Sequence, residues 1–423
     1  MTQQLRHLIV VIPGIGGSVL ERAGTPVWGD GLPRVAARAL RPGVLSLTPG
    51  DGVRAVGLTR SVSIWPGWTV LHGYGDLVRG ICNRFTGVLL DEGHPDHRVP
   101  GANVVLFPYD FRQSITVAAE QLAEEIKARL NGSAKRRVIV VAHSMGGLVA
   151  RWWLGPLKGW RCCRGLVTLG TPHRGAPKAL DWLVNGVRLK GVRLPHATAV
   201  IRGWPSVYEL LPRYPAVMLK ETGGARYPHE LIMEGFDSRR ARDALALHYQ
   251  IEQAWGEVPP QPDGPGVTPF LGRGHPTLER ASWAGALSVT KDRADWLDQP
   301  PGWLGDGTVP AYMASPIEQD KQRDGWRPVP ARHGELPSYE GWSSCWRRST
   351  ASRGTSQRRP CGARRRSAPA WAWTSTSGTR RASRCRWRSS CARRCAAQRE
   401  SWTSPRCGCG RRWHRRAAAR PAA

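Results

Sequence analysis

Residues 138–154 read Val-Ile-Val-Val-Ala-His-Ser-Met-Gly-Gly-Leu-Val-Ala-Arg-Trp-Trp-Leu, and this stretch restricts the fold more than any other. The run Val138–Val141 is apolar and β-branched without alternation, as expected of a strand buried on both faces. Small residues follow Ser144 and open a helix. Joining strand to helix over so few residues requires a sharp, strained turn at the serine. The residues two before and two after it must then be small, and here they are Ala142 and Gly146.

The same buried-strand pattern recurs in Leu8–Ile12 before Pro13-Gly14, in Val104–Phe107 before Pro-Tyr-Asp, and in Gly165–Leu169 before Gly170-Thr171-Pro172. A weaker candidate is Ala286–Val289. Between the second and third strands, Ile115, Ala118, Ala119, Leu122, Ile126 and Leu130 fall on one helical face. Strands alternating with helices predict an α/β protein with a mostly parallel sheet and flanking helices. Two stretches break the alternation. Residues 20–100 are rich in Gly, Pro and Arg. Residues 175–280 carry Trp182, Trp204, Tyr208, Tyr214 and Trp255 and read as a cap or lid insertion, or otherwise as a surface excursion.

Composition divides the chain into 1–342 and 343–423. The formal net charge of +30 is uneven, because the last 81 residues hold 22 Arg and a single acid, Glu400. That leaves residues 1–342 at +9. The tail has no Leu, Ile, Val, Met or Phe from which to build a core, and it is expected to be disordered. Its alphabet is that of GC-rich codons read out of frame, so a frameshift near Ser343 is the expectation, with a genuine basic tail as the alternative. Seven of the ten cysteines lie there. Cys82, Cys162 and Cys163 do not make a disulfide framework. The short run His7–Ile12 is too brief for a signal peptide, and no apolar stretch has membrane-spanning length. A cytoplasmic chain with no nucleic-acid partner is expected.

Serine is a poor nucleophile at neutral pH without a base and an orienting acid, here expected in the order Ser, Asp, His. Asp306 sits in Leu304-Gly-Asp-Gly-Thr-Val-Pro310, where flanking glycines allow a tight turn. Asp292, Asp295 and Asp298 lie in a charged run that reads as a solvated face. His333 follows Asp306, whereas His248 and His275 precede it and His414 lies in the tail. The Gly-rich loop Pro13–Glu21 can bring backbone amides close to a substrate oxygen. It lacks the spacing of a dinucleotide-binding loop. Walker-type and metal-ligand patterns are absent, so no cofactor and no metal are expected.

The segments Pro13-Gly-Ile-Gly-Gly-Ser-Val-Leu-Glu21, Tyr109-Asp-Phe-Arg112, Ala142-His-Ser-Met-Gly-Gly147, Gly305-Asp-Gly-Thr-Val-Pro310 and the His333 loop occur in this order. Leu169–Gly175 and Pro205–Pro212 lie between them. Together they resemble the lecithin:cholesterol acyltransferase family, which includes lysosomal phospholipase A2. The resemblance implies an α/β-hydrolase fold and a triad of Ser144, Asp306 and His333. It also implies an oxyanion hole from the amides of Ile15 and Met145. The implied activity is a lipid acyl hydrolase or O-acyltransferase acting on (phospho)lipid esters through an acyl-enzyme. Its partners would be a lipid ester and a water or alcohol acceptor, with transient membrane-surface contact through the lid. Two alternatives stand beside it: a general carboxylesterase or triacylglycerol lipase, and a non-catalytic anionic-surface binder working through the basic tail. Phe111 departs from the family's frequent Trp.

Overall fold

Every side chain of Leu8–Ile12 is essentially inaccessible to solvent. So is every residue of Val138–His143 but for a trace at the histidine. Such segments fit only the middle of a sheet covered on both faces. The computed structural model of the chain describes residues 3–29, 43–59, 62–65, 68–71, 73–133, 137–189, 191–299, 304–321 and 323–339. The Arg-rich stretch 343–423 and the frame switch expected at Ser343 lie outside the described residues.

Seven parallel strands form the central sheet: β1 (Leu8–Ile12), β2 (Leu90–Asp91), β3 (Val104–Leu106), β4 (Val138–His143), β5 (Cys163–Leu169), β6 (Gly266–Gly272) and β7 (Arg327–Val329). Their order is β7-β6-β5-β4-β1-β3-β2. The chain therefore steps from β1 to one side, then returns to β1's other flank with β4. Ligands of open parallel sheets bind at such a reversal, beyond the carboxyl ends of the strands. The register pairs Ile12 with Ala142 and His143 with Leu169. Three loops thus leave the sheet side by side, after Ile12, His143 and Leu169.

Two cores flank the sheet. On one face, Leu8, Val10, Ile12, Val138, Val140 and Ala142 pack under α2 (Ile115–Leu130) and α3 (Gly146–Leu154). On the other, Ile9, Val11, Ile139 and Val141 pack under Leu77 and Ile81 of α1 (Gly75–Arg84). Each fully buried aliphatic side chain contributes about 1.5–3 kcal/mol of transfer free energy. Slipping β4 by one residue would exchange its two faces. Helix α2 starts at Ser114, whose hydroxyl caps Thr116 N–H, and ends at left-handed Asn131.

The two excursions have structure of their own. Ser18–Arg22, Thr25–Trp28 and Val53–Leu58 form a three-stranded antiparallel sheet. Between β5 and β6 lie α4 (Pro177–Val184), α5 (Pro195–Arg202), the turn Pro205–Tyr208 and the 18-residue α6 (Ser238–Trp255). Two sequence expectations need correction. The boundary of the insertion at 280 overruns it, because Gly266–Gly272 is a central strand. The candidate Ala286–Val289 is a strand over Leu287–Thr290, but in a separate four-stranded sheet with Arg280–Trp283, Val217–Leu219 and Ala225–Arg226. Strand β6 hides in the sequence because Pro269 interrupts it. Its partner β7 pairs only from Phe270 onward, so the missing N–H falls where one flank of β6 has no ladder to lose. Among the described residues no helix is long and apolar enough to cross a membrane.

Candidate active site

The strand-to-helix turn forces Ser144 into left-handed backbone at φ 51°. A β-carbon there is strained, and such strain concentrates at functional turns. The turn is pinned from both sides: Ser144 N–H donates to Leu169 C=O at 2.9 Å, and Gly147 N–H donates to Ser144 C=O at 3.0 Å. A β-carbon on Gly146 would overlap the Pro13 carbonyl, and one on Gly14 would lie 2.7 Å from Cβ of Ser144. Small residues are needed here because β1, its loop and α3 touch.

Asp306 and His333 reach the same place from distant loops. Asp306 is buried, and its Oδ1 accepts the N–H groups of Thr308 at 2.9 Å and Val309 at 2.7 Å. This tight turn leaves Oδ2 free to accept from His333 Nδ1 at 2.7 Å. A carboxylate only accepts, so the proton of a neutral His333 sits on Nδ1. Its Nε2 is then a bare acceptor, 2.8 Å from Ser144 Oγ. The loops are tied together by His333 N–H donating to Asp306 C=O at 2.9 Å. This arrangement can remove the serine proton and stabilise the imidazolium that forms.

The side chains of the other candidate acids and histidines do not join this line. Asp292, Asp295 and Asp298 are exposed, Asp295 being paired with Arg280. His275 bridges to Gly305 through its backbone, and His248 is buried against the carbonyl of Glu209.

Ile15 lines the cavity beside the serine, and Met145 follows Ser144 in the chain. Among the described residues neither of their backbone N–H groups donates a hydrogen bond. Met145 also precedes the first turn of α3, where the helix dipole favours negative charge. The neighbouring Gly14 N–H is engaged, since it donates to the Tyr74 hydroxyl at 2.8 Å. Tyr74 Oη lies 2.9 Å from His143 Nδ1, and His143 Nε2 lies 3.0 Å from the His333 carbonyl. Burial, with a smaller contribution from His333, pushes the pKa of His143 down to about 3, so the ring is neutral. Sequence reading passed over both residues. The only signals were an aromatic between two glycines and a histidine beside the serine.

A cavity of about 350 Å³ opens over the serine. Its walls include Trp28 from the first excursion, Pro172 from the loop after β5, and Lys178, Trp182 and Leu210 from the second excursion. A larger cavity of about 970 Å³, between residues 47–53 and α6, includes none of Ser144, Asp306 and His333 and is distant from this chemistry. Lys178 was also missed. Its Nζ donates to Thr308 Oγ1 at 3.1 Å, and burial lowers its pKa against the pull of Asp306 and Asp181.

Residues 98–246 match the family model for lecithin:cholesterol acyltransferase. Lecithin-cholesterol acyltransferase-like 4 of Arabidopsis thaliana is 27% identical over 125 residues, 26% of this chain and 23% of that protein. Phospholipase A(1) LCAT3 of the same plant is 28% identical over 125 residues, 26% of this chain and 28% of that protein. The match thus spans about a quarter of each relative's length. Among solved structures, a chain of the Tle4–Tli4 complex superposes with a TM-score of 0.56 at 15% identity. It covers 82% of this chain and 99% of that one. With the parallel sheet and the serine turn after β4, the fold is that of the α/β-hydrolases.

Proposed function

We propose that this chain, whose residues 98–246 belong to the lecithin:cholesterol acyltransferase family, is a serine lipid acyl hydrolase or O-acyltransferase. The observation that carries the reading is the unbroken hydrogen-bonded line Asp306–His333–Ser144 at the base of a cavity. His333 Nε2 takes the proton of Ser144 Oγ as the oxygen attacks the ester carbonyl. Asp306 holds the imidazole and stabilises its cation. The Ile15 and Met145 amides receive the oxyanion. Collapse of the tetrahedral adduct expels the alcohol, which takes the proton from His333, and leaves an acyl-serine. Water or an alcohol then enters through the same base.

The mixed walls of the cavity suit a lipid acyl ester, and the Lys178 ammonium favours one with an anionic headgroup over a neutral triacylglycerol. Transient contact of the 175–265 excursion with a membrane surface would deliver such a substrate. The test is incubation with a labelled phospholipid, with and without an alcohol acceptor, followed by product identification. Free fatty acid alone identifies a hydrolase, and a new ester identifies a transferase. Ser144→Ala is expected to abolish both products while the protein stays folded by circular dichroism. Unchanged turnover in that variant would falsify the reading.

A further inference from the structure

The two halves of the proposed machinery, the oxyanion loop after β1 and the imidazole of His333, are joined by one buried hydrogen-bonded chain. The His333 carbonyl can only accept, so His143 Nε2, 3.0 Å away, carries the proton. In a neutral ring the other nitrogen is then a bare acceptor. Tyr74 O–H therefore donates to His143 Nδ1 at 2.9 Å, and its lone pair receives Gly14 N–H at 2.8 Å. Every donor has one acceptor, and each bond has only one possible direction. Tyr74 and His143 are 1% and 2% exposed, so both side chains of the relay are buried.

The placement of the chain gives it a consequence for catalysis. Gly14 immediately precedes Ile15, whose N–H is a proposed oxyanion donor. The bond to Tyr74 fixes the Pro13–Gly14 peptide, and the Gly14 carbonyl, which shares its peptide plane with Ile15 N–H, accepts from Gly17 N–H at 2.9 Å. His143 immediately precedes Ser144, at a turn already strained to φ 51°. The far end holds the backbone of the base itself, and the rings of His143 and His333 are 4.9 Å apart. A neutral His143 also spares the imidazolium of His333 a like charge at that distance.

We infer that Tyr74 and His143 are positioning residues, which hold the oxyanion donor of Ile15 and the base His333 in register with Ser144 through this relay. The inference rests on the serine-hydrolase reading and deepens it. Deleting the Tyr74 hydroxyl leaves the oxyanion and triad groups present but untethers them. A misplacement of about 1 Å can cost about 100-fold in turnover.

The experiment compares Tyr74→Phe, His143→Leu and His143→Gln with the parent protein on a soluble chromogenic ester. Rates are expressed per serine titrated with a fluorophosphonate, so that any unfolded fraction drops out. Tyr74→Phe and His143→Leu are expected to lose about 10–100-fold in kcat with KM within twofold. Their serine phosphonylation should slow by a similar factor, because it uses the same base and oxyanion donors. His143→Gln still carries an N–H for the His333 carbonyl and an acceptor for Tyr74, and should recover to within about threefold. A merely structural role would lower the titratable fraction and leave the per-site rate unchanged. That result, or equal rates for His143→Leu and His143→Gln, overturns the inference. Activity persisting in Ser144→Ala would instead sink the underlying hydrolase reading.

Discussion

Asp306 divides its two oxygens between different tasks. Oδ1 is saturated by the amides of Thr308 and Val309, and Oδ2 faces His333 Nδ1. In Asp306→Asn the amide oxygen would stay with the two N–H donors, turning the amide nitrogen toward the imidazole. Nδ1 must then accept, Nε2 takes the proton, and the base facing Ser144 is lost. A drop in kcat of about 10⁴-fold with an unchanged melting midpoint is expected, measured by steady-state kinetics beside thermal denaturation. Lys178 has a separate role in this reading, the recognition of charge. Lys178→Met should lower the preference for an anionic-headgroup ester over a neutral one by about tenfold or more, since a hydrogen bond to a charged group is worth about 1.5–3 kcal/mol. A panel of esters matched in acyl chain reads this directly. Of these residues, Ser144 was legible because its turn is made by neighbours in sequence. Asp306 and His333 could be ranked by chain order and glycine context. Tyr74, His143 and Lys178 could not, because what they touch is decided by residues 60 to 190 positions away.

Legibility at the level of elements follows burial pattern. Strand β1 and all of β4 but its final His143 are continuous apolar runs, and β5 is buried from Gly165 to Leu169 with only Thr168 polar, so their two-sided burial leaves a signature that needs no partner to be recognised. Strand β6 has a proline inside it, while β2 and β7 are two and three residues long and gain their identity only from the ladder they join. Helix α2 shows its periodicity plainly. Its start is reinforced from the second excursion, where the Glu209 carboxylate accepts Ile115 N–H at 2.8 Å and Ser114 Oγ–H at 2.5 Å. The junction of β4 with α3 has the least tolerance. A β-carbon on Gly147 would overlap the side chain of Thr171, which is itself fully buried in the loop after β5. Gly147→Ala should therefore destabilise the fold by about 1–3 kcal/mol through overpacking, despite the better helix propensity of alanine. Urea denaturation of the two proteins measures this, and equal midpoints would show that the loop after β5 yields without cost.

At the scale of the molecule, three buried histidines among the described residues link stability to pH. His143 is pushed down to about 3 and His248 to about 4, mainly by burial, and burial holds His173 well below the ordinary value of 6.5. Each is neutral in the folded chain, yet would take up a proton in the unfolded chain once pH falls below about 6.5. The unfolded state then binds more protons, so stability falls as pH falls. The stabilising effect is complete above pH 6.5 and is lost progressively down to about pH 4 for His248 and about pH 3 for His143. Within that window each histidine contributes a slope of about 1.4 kcal/mol per pH unit. Of the three, His143 adjoins the site next to Ser144, whereas His173 lies against Thr168 at the end of β5 and His248 under the carbonyl of Glu209. Urea midpoints taken from pH 8 to pH 5 should stay level at first and then decline below about 6.5. His248→Gln, which leaves the serine's surroundings untouched and keeps an N–H for the Glu209 carbonyl, should make that decline shallower by one proton's worth. A stability curve flat from pH 8 to pH 5 would mean that these rings are already protonated in the fold, or that the unfolded chain keeps them buried.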